Sequence, residues 1–223
     1  MKKYAAAGIA VVIVVLVVIL GLRACGGSKV DASGYVQAQL DLTFQGETQE
    51  AHRLTGAAVS GLEQIYEDGI NAFVQSYLTG GVDTGEAFSE TYGKIIKKIF
   101  LVMHYQVGEA QKKDKNTYEV TVTYEPADVF TSFIPKLKEK SAEIEEKAKN
   151  GGYTGTEDEI QSAMILDYMS ESYTLLESAY LDIQYGGKQE FTFTLTKGKG
   201  SKVTMDNEEI AAFIEKILEL DKL

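Results

Sequence analysis

Cysteine, proline, tryptophan and histidine are all scarce in this sequence of 223 residues. The single cysteine excludes a disulfide framework and a cysteine-based zinc cluster, because both need several thiols. The two prolines argue against a proline-rich linker. Basic residues are also outnumbered, with 22 Lys and Arg against 33 Asp and Glu, which gives a formal net charge of −11. Nucleic-acid affinity depends on Lys and Arg displacing counterions, so the sequence predicts no nucleic-acid partner.

The overall composition is that of a globular protein, with 44% hydrophobic and 25% charged residues. This balance excludes a disordered tail, a collagen-like fibre and a protein that crosses a membrane many times. What is left is a membrane-directed leader followed by one soluble region of moderate size.

The leader occupies residues 1–25 and differs from everything after it. Lys2 and Lys3 give it a positive start, and residues 5–22 then run without a charge. A basic start followed by an apolar run directs a chain to the secretory membrane. The leader therefore predicts that the rest of the chain lies outside the cytoplasm.

Cys25 stands directly after this apolar run. Leu22, Ala24 and Gly26 surround it as in a bacterial lipobox, and Arg23 departs from that pattern. Two interpretations stay open: a cleaved signal peptide with Cys25 as the lipidated residue, or an uncleaved signal anchor, because a bilayer-spanning helix needs about 20 apolar residues. A cysteine without a role is the third reading. We favour lipidation narrowly, and both leading readings place the protein at the extracytoplasmic face of the cell membrane.

The remaining chain divides into a tether over residues 26–32 and a single extracytoplasmic domain over 33–223. No linker interrupts this stretch, and a chain of its length can bury one core. Helical and strand patterns follow in the same order over 33–126 and 127–223, which suggests a loose duplication. The acidic charge and the lack of a second long apolar run predict a soluble, monomeric body.

Apolar residues recur at three and four positions in several segments, as expected for amphipathic helices. Asp31 and Ser33 are candidate caps for the first, with Val36, Leu40 and Phe44 on one face. Further helices are predicted over 59–78 and after 86. Another is predicted over 129–149, where Pro135 starts a new turn or bends the helix. Two more are predicted after 156 and after 206. Three pairs have the spacing of capping boxes: Asp83 with Glu86, Thr156 with Glu159, and Asp206 with Glu209.

Two regions alternate with the period of a strand that has one buried face. The first runs over 103–107 and 118–124, around a polar turn at 112–116, and the second over 191–195 and 203–205. Tight turns between strands favour antiparallel hairpins. The expected fold class is therefore α+β, with amphipathic helices packed on antiparallel hairpins.

Few residues suggest chemistry. His52 lies in a polar segment, and His104 lies on the polar face of a strand, where an exposed cross-strand partner is expected. A zinc site needs three or four ligands, so neither histidine predicts a metal. No glycine-rich segment has the strand–loop–helix context of a phosphate-binding loop. The sequence predicts no catalytic residue, no metal and no cofactor.

The carboxylates and tyrosines are the remaining residues that could indicate a function. Acidic and basic residues alternate between positions 136 and 149, which predicts a solvated, salt-bridged helix face. Thirteen tyrosines accompany no tryptophan, and most of the helical tyrosines fall on or beside apolar faces. A tyrosine combines a large ring with a polar tip, so we expect these at the rim of the core rather than in a recognition cleft. They are Tyr66, Tyr77, Tyr92, Tyr168, Tyr173, Tyr180 and Tyr185.

Four segments together resemble a group of uncharacterised lipoproteins of Gram-positive bacteria, which are domains of unknown function. They are the leader that ends at Cys25, the helix opening at 32–38, the hairpin strand at 118–126 and the strand–helix junction at 203–209. The resemblance implies a location in the cell envelope. It implies no catalytic residue.

We therefore expect a membrane-tethered extracytoplasmic domain with a binding or envelope-interaction role, and not an enzyme. Its partners would be the membrane, through the N-terminus, and an unknown envelope ligand or protein. The alternative is an envelope hydrolase that uses a pair of carboxylates. Convergent acids with raised pKa values in one pocket would favour this alternative.

Overall fold

The computed structural model describes residues 30–78, 86–198 and 203–223. The predicted α+β class is confirmed: within those residues, helices pack against one antiparallel sheet. The first half contains α1 (Ala32–Gln45), α2 (Gln49–Thr55), α3 (Val59–Tyr77), α4 (Glu86–Leu101), β1 (His104–Val107), β2 (Gln111–Lys112) and β3 (Thr117–Glu125). The second half contains α5 (Val129–Lys149), α6 (Glu157–Leu181), β4 (Gln189–Lys197), β5 (Val203–Met205), α7 (Asn207–Ile217) and a terminal 3₁₀ turn (Leu220–Lys222).

The two predicted hairpins join into a single sheet through their longest strands. β3 pairs antiparallel with β4, with Val120 opposite Phe193 and Thr121 opposite Thr192. The strand order is β1–β3–β4–β5, and β2 also pairs with β3. Alternation along β3 and β4 puts the apolar residues on an inner face and the polar ones on an outer face. The predicted facing of both hairpins is confirmed.

A bulge separates β1 from β2. Val107 pairs with Val122 and Gln111 with Glu119, so one strand has an extra residue between the two pairs. The Gly108 amide donates to the Thr121 carbonyl at 2.9 Å. A Cβ at Gly108 would lie 2.8 Å from the same oxygen, so glycine is required by this close approach. The sequence pattern did not predict the bulge.

Helix α1 is the central helix of the domain. It contacts β1 and β3 of the sheet as well as α2, α3 and α4. The predicted apolar positions Val36, Leu40 and Phe44 are fully buried, but Gln39 and Thr43 on the polar side are buried as well. Thr43 satisfies its hydroxyl by donating to the Gln39 carbonyl at 2.8 Å. The prediction of one buried face therefore described only part of this helix.

The helix starts follow the predicted caps with one difference. Asp31 accepts from the Gly34 amide, and Thr156 and Glu159 form a complete capping box. Asp206 caps α7, but Glu209 does not complete the predicted box. Instead, the Glu209 carboxylate accepts the Thr194 amide of β4 at 2.8 Å, beside the short β5. Asp83, of the remaining predicted box, lies outside the described residues.

Helices α5 and α6 form an antiparallel hairpin whose far end extends past the core. α5 continues through Pro135 as one helix, and its predicted salt-bridged face is confirmed by pairs such as Lys140 with Glu143. At the far end Ile144 is buried within the hairpin, yet it does not belong to the main core cluster. Asp167 accepts from Lys147 and Tyr153, both at 2.7 Å, which lowers the pKa of its carboxyl group.

Two further findings concern helices. The polar segment around His52 forms the short helix α2, which was not predicted, with Ala51 and Leu54 buried. No helix among the described residues is both long enough and apolar enough to cross a bilayer. The leader, residues 1–25, lies outside the described part of the chain.

Candidate binding groove on the outer sheet face

A groove of about 300 Å³ opens on the outer face of the sheet, near the start of β1. Its polar lining comes from His104 and Gln106 on β1, Thr123 and Glu125 on β3, and Lys188 just before β4. The floor between them includes the backbone of Tyr105 and Tyr124, because the alternation of each strand turns these two rings inward. We call this feature the groove.

The strand register places the lining residues opposite one another. His104 faces Glu125 and Gln106 faces Thr123 across the β1–β3 ladder. Directly opposed residues on one sheet face have Cβ atoms about 4.5–5.5 Å apart, close enough to contact one ligand. The predicted exposed cross-strand partner of His104 is confirmed: its Nδ1 lies 2.8 Å from Oε2 of Glu125.

Tyr185 packs on His104, one of the lining residues of the groove. Its ring stacks on the His104 imidazole, with ring centres 4.0 Å apart and planes within 13°. Its hydroxyl donates to the Val102 carbonyl at 2.7 Å, and its backbone forms a bridge with Ala127. Burial raises the pKa of the Tyr185 phenol, so the hydroxyl stays protonated and keeps this bond at neutral pH. The imidazole is therefore held between a ring and a carboxylate.

Three other lining side chains are available to a ligand. The hydroxyl of Thr123, the amide of Gln106 and the ammonium of Lys188 have no hydrogen-bond or ion-pair partner among the residues that the structure describes. Together they offer donors and acceptors of both kinds within one concave surface. A few convergent polar groups in a concavity can fix the orientation of a small ligand.

The other sequence candidates lie apart from the groove. His52 sits in α2, where its Nδ1 is 2.7 Å from the Ala57 carbonyl of the following turn. Across residues 30–78, 86–198 and 203–223, no three His, Cys, Asp or Glu side chains are grouped to hold a metal ion. Cys25, the predicted lipidation site, lies outside the described residues.

The carboxylates show no convergence at the groove, where Glu125 is the one acidic residue in the lining. Elsewhere in the described chain, every carboxyl group whose pKa is shifted lies beside a hydrogen-bond donor, and that donor lowers the pKa. These groups lie at separate exposed positions: Glu50 beside Arg53, Glu90 beside Lys94, Asp114 at a turn, Glu159 in the capping box and Asp167 beside Lys147.

Five of the seven predicted rim tyrosines pack against the core from its edge, whereas Tyr66 and Tyr92 are buried within it. All seven named above are buried in the main core cluster or packed against it. Several hydroxyls donate to backbone carbonyls of another element, with Tyr92 on Met169 and Tyr168 on Leu78, both at 2.7 Å. Burial raises the pKa of Tyr92 to about 12. These rings connect helices, and Tyr185 stacks on the lining residue His104.

Sequence reasoning missed the groove as a unit. The strand patterns predicted which residues face outward, but they left the pairing of β1, β3 and β4 open. Lys188 and Tyr185 lie in the connection from α6 to β4, where no hydrophobic periodicity predicts the position of a side chain. The lysine, the tyrosine and the polar strand residues are far apart in the chain and meet only in the folded sheet.

Comparison with known proteins gives one informative match. No family model and no curated protein matches the chain. Among solved structures, the fold is similar to that of a "putative lipoprotein (ycdA)" from Bacillus subtilis, with a TM-score of 0.54 and 16% sequence identity. The match covers 84% of this chain and 56% of the Bacillus protein, so this chain spans little more than half of that protein's length. The predicted resemblance to lipoproteins of Gram-positive bacteria is thus confirmed at the level of the fold.

Proposed function

We propose that this protein is a membrane-tethered extracytoplasmic domain that binds an envelope ligand in the groove without chemically changing it. The observation that carries the binding role is the groove itself, where Gln106, Thr123 and Lys188 present unused hydrogen-bonding groups beside the fixed His104–Glu125 pair. A solvent-exposed sheet face with convergent polar side chains is suited to reversible recognition.

The tether rests on the leader and on the fold. The apolar run that ends at Cys25 predicts export and membrane attachment. The similar fold of the Bacillus "putative lipoprotein" supports the same placement. Lipid attachment at Cys25 is our preferred form of the tether.

Non-catalytic binding is preferred because hydrolysis by carboxylates needs two acids in one site, one of them with a raised pKa. The groove contains one carboxylate, which lies against a histidine. Its lining therefore supports recognition better than bond cleavage.

The binding role is tested by thermal shift of the full chain against a panel of sugars, polyols and short peptides of the envelope. We expect at least one compound to raise the melting temperature of the wild type and of Thr196→Val, which changes the far end of the same sheet face. The shift should be lost in Gln106→Ala. Shifts that are equal in both variants, or turnover of the compound, would contradict the proposal.

The tether is tested separately by Cys25→Ala. If Cys25 carries the lipid, the variant should accumulate as an unacylated precursor that retains residues 1–24, detected by mass spectrometry of the intact protein. If the leader is an uncleaved span, the variant should behave as the wild type. A wild-type protein found in the soluble cytoplasmic fraction would contradict both forms of the tether.

A further inference from the structure

The groove contains charges of both signs that do not pair with each other. Its lining includes one lysine, Lys188, and one carboxylate, Glu125. In the β3–β4 ladder Tyr124 lies opposite Gln189, and Glu125 and Lys188 are the next residues on the two antiparallel strands, so both charges lie at the same end of the ladder. No ion pair joins them in the described structure, because Oε2 of Glu125 lies instead 2.8 Å from Nδ1 of His104.

Both charged groups keep the capacity to bind a ligand. A carboxylate has about four acceptor sites, so the bond from His104 leaves Glu125 able to accept others. Lys188 is exposed, and its ammonium only donates. A ligand that covers the groove removes water from both groups, and a charge that loses water without gaining a partner is unfavourable. The ligand therefore has to supply a group of each sign.

Ligands with a single charge fit this lining less well. An anion would pair with Lys188 but would lie beside Glu125 and close to Glu190, which is opposite the lining residue Thr123. A cation would pair with Glu125 but would face the ammonium of Lys188. Like charges brought together in a binding site are unfavourable. The complementary ligand is therefore a zwitterion.

The aromatic residues indicate which kind of ammonium fits. Quaternary ammonium groups are bound against the faces of aromatic rings. The rings of Tyr105 and Tyr124 are turned inward, away from the groove, and the ring of Tyr185 is stacked on His104. A carboxylate binds an ammonium through N–H donors, in hydrogen bonds that the charges strengthen. The ligand should therefore carry N–H groups on its ammonium.

The size of the groove and its uncharged side chains restrict the ligand further. Its volume of about 300 Å³ is at the lower end of the range for small-molecule sites, roughly 300–1,000 Å³. The Gln106 amide and the Thr123 hydroxyl lie at the next outward positions of β1 and β3, two residues from His104 and Glu125. They can bind a polar group close to the two charges of the ligand.

From these observations we propose that the groove binds a free α-amino acid with a short polar side chain. Its carboxylate would contact Lys188, its ammonium would contact Glu125, and its side chain would contact Gln106 and Thr123. A free α-amino acid carries both charges on one carbon, whereas a peptide separates them. The inference rests on the proposed function, since it names the ligand class of the same site.

The test is isothermal titration calorimetry of the full chain in a nonionic detergent. The probes are L-serine, L-threonine, L-asparagine and L-glutamine. Each is compared with its N-acetyl derivative, which keeps only the carboxylate, and with its α-amide, which keeps only the ammonium. We expect at least one of the four amino acids to bind. Both of its derivatives should bind at least about tenfold more weakly, since each lacks one charged hydrogen bond.

Substitutions at the two charges locate the binding. Lys188→Met and Glu125→Gln should each weaken binding of the same amino acid about tenfold or more. Lys188→Arg should retain binding, because the guanidinium keeps the positive charge. Lys188 is exposed, so its variants should fold as the wild type does. The matched controls are Lys112→Met on β2 and Glu119→Gln on β3, which change charges outside the lining and should leave binding unchanged.

Each other outcome overturns the inference. An N-acetyl derivative that binds as tightly as its amino acid would contradict the ammonium contact, and an equally tight α-amide would contradict the carboxylate contact. Glycine betaine has no N–H on its ammonium, and equal binding of it would contradict a hydrogen-bonded ammonium. Unchanged binding in Lys188→Met would place the amino acid outside the groove. If none of the four amino acids binds, the ligand class is wrong, whereas the panel of sugars, polyols and peptides with Gln106→Ala still decides the proposed function.

Discussion

The inner and outer faces of the sheet are formed by the same strands but have different roles. The inner face packs on α1 and α7, and its residues Val120, Val122, Phe193 and Leu195 are fully buried. The outer face is polar and open to solvent, with threonine at many positions. Residues on the inner face are constrained by packing, whereas those on the outer face are free to vary. The residue types on the outer face can therefore be determined by ligand binding rather than by packing.

Threonine on the outer face also has a structural explanation. β-branched residues suit exposed strand positions, and Thr121 and Thr192 form a cross-strand pair with hydroxyl oxygens 3.3 Å apart. This contact accounts for the middle of the face. It does not account for the groove. Strand propensity does not explain Gln106, Lys188 or the stacking of Tyr185 on His104.

The largest predicted effect separates the two faces by a single residue step. Val120→Asp or Phe193→Asp should unfold the domain, because an unpaired buried carboxylate costs several kcal/mol against a total stability of about 5–15 kcal/mol. Thr121→Asp and Thr192→Asp, one residue along, should be mild. Thermal melting of the four variants measures the difference, and similar losses at both positions would show that the faces are not distinct.

The next effect concerns the aromatic cluster under the inner face. Phe213 of α7 contacts Tyr124, Phe191 and Phe193, with ring centres 5.3–5.5 Å apart. Phe213→Ala should cost about 3–5 kcal/mol, the usual value for a buried phenylalanine. Phe191→Ala is the comparison, because Phe191 is only half-buried and should cost less. Denaturant titration gives both values, and the reverse order would place the cluster elsewhere.

A smaller loss is expected where the outer face is fixed to the helices. Tyr185→Phe removes the hydroxyl that donates to the Val102 carbonyl but keeps the ring stacked on His104. The expected cost is about 1 kcal/mol, the net contribution of one hydrogen bond. Urea unfolding measures it. A stability equal to that of the wild type would mean that this bond does not hold Tyr185 against the end of α4.

The smallest effect on stability is expected inside the groove. Gln106 is exposed, and its side chain has no partner among the described residues, so Gln106→Ala should change stability by less than about 0.5 kcal/mol. The same variant should abolish ligand binding. A large loss of stability would assign Gln106 a structural role and weaken its place in the binding site.

Much of this fold follows from periodicity alone. The alternation of β3 and β4 correctly predicted their inner faces, and Thr156 with Glu159 correctly predicted the start of α6. These features are local, and the residues that specify them are neighbours in sequence. The sheet order could not be predicted, because any two amphipathic hairpins can pair in several ways.

The errors have physical causes as well. α2 is short and polar, and its helical state depends on burying Ala51 and Leu54 rather than on a recognisable pattern. The Glu209 carboxylate satisfies an amide of β4, which only the folded sheet brings within reach. The groove was missed for the same reason, since its parts come from two strands, β1 and β3, and from the connection before β4.

Labelling of cysteines in intact cells would test the central claim, an outer sheet face that is exposed outside the cell, most directly. The chain has one natural cysteine, Cys25, which itself reacts with maleimide if it is not lipidated, so the labelling of Thr192→Cys and Val122→Cys is counted as the signal above that of the wild type. Thr192 is exposed on the outer face, and Val122 is fully buried on the inner face. We predict that a membrane-impermeant maleimide labels Thr192→Cys on intact cells and leaves Val122→Cys unlabelled until the protein is denatured. Labelling of Thr192→Cys only after the cells are lysed would contradict the extracytoplasmic placement, and equal labelling of both variants in the native protein would contradict the division between the two faces.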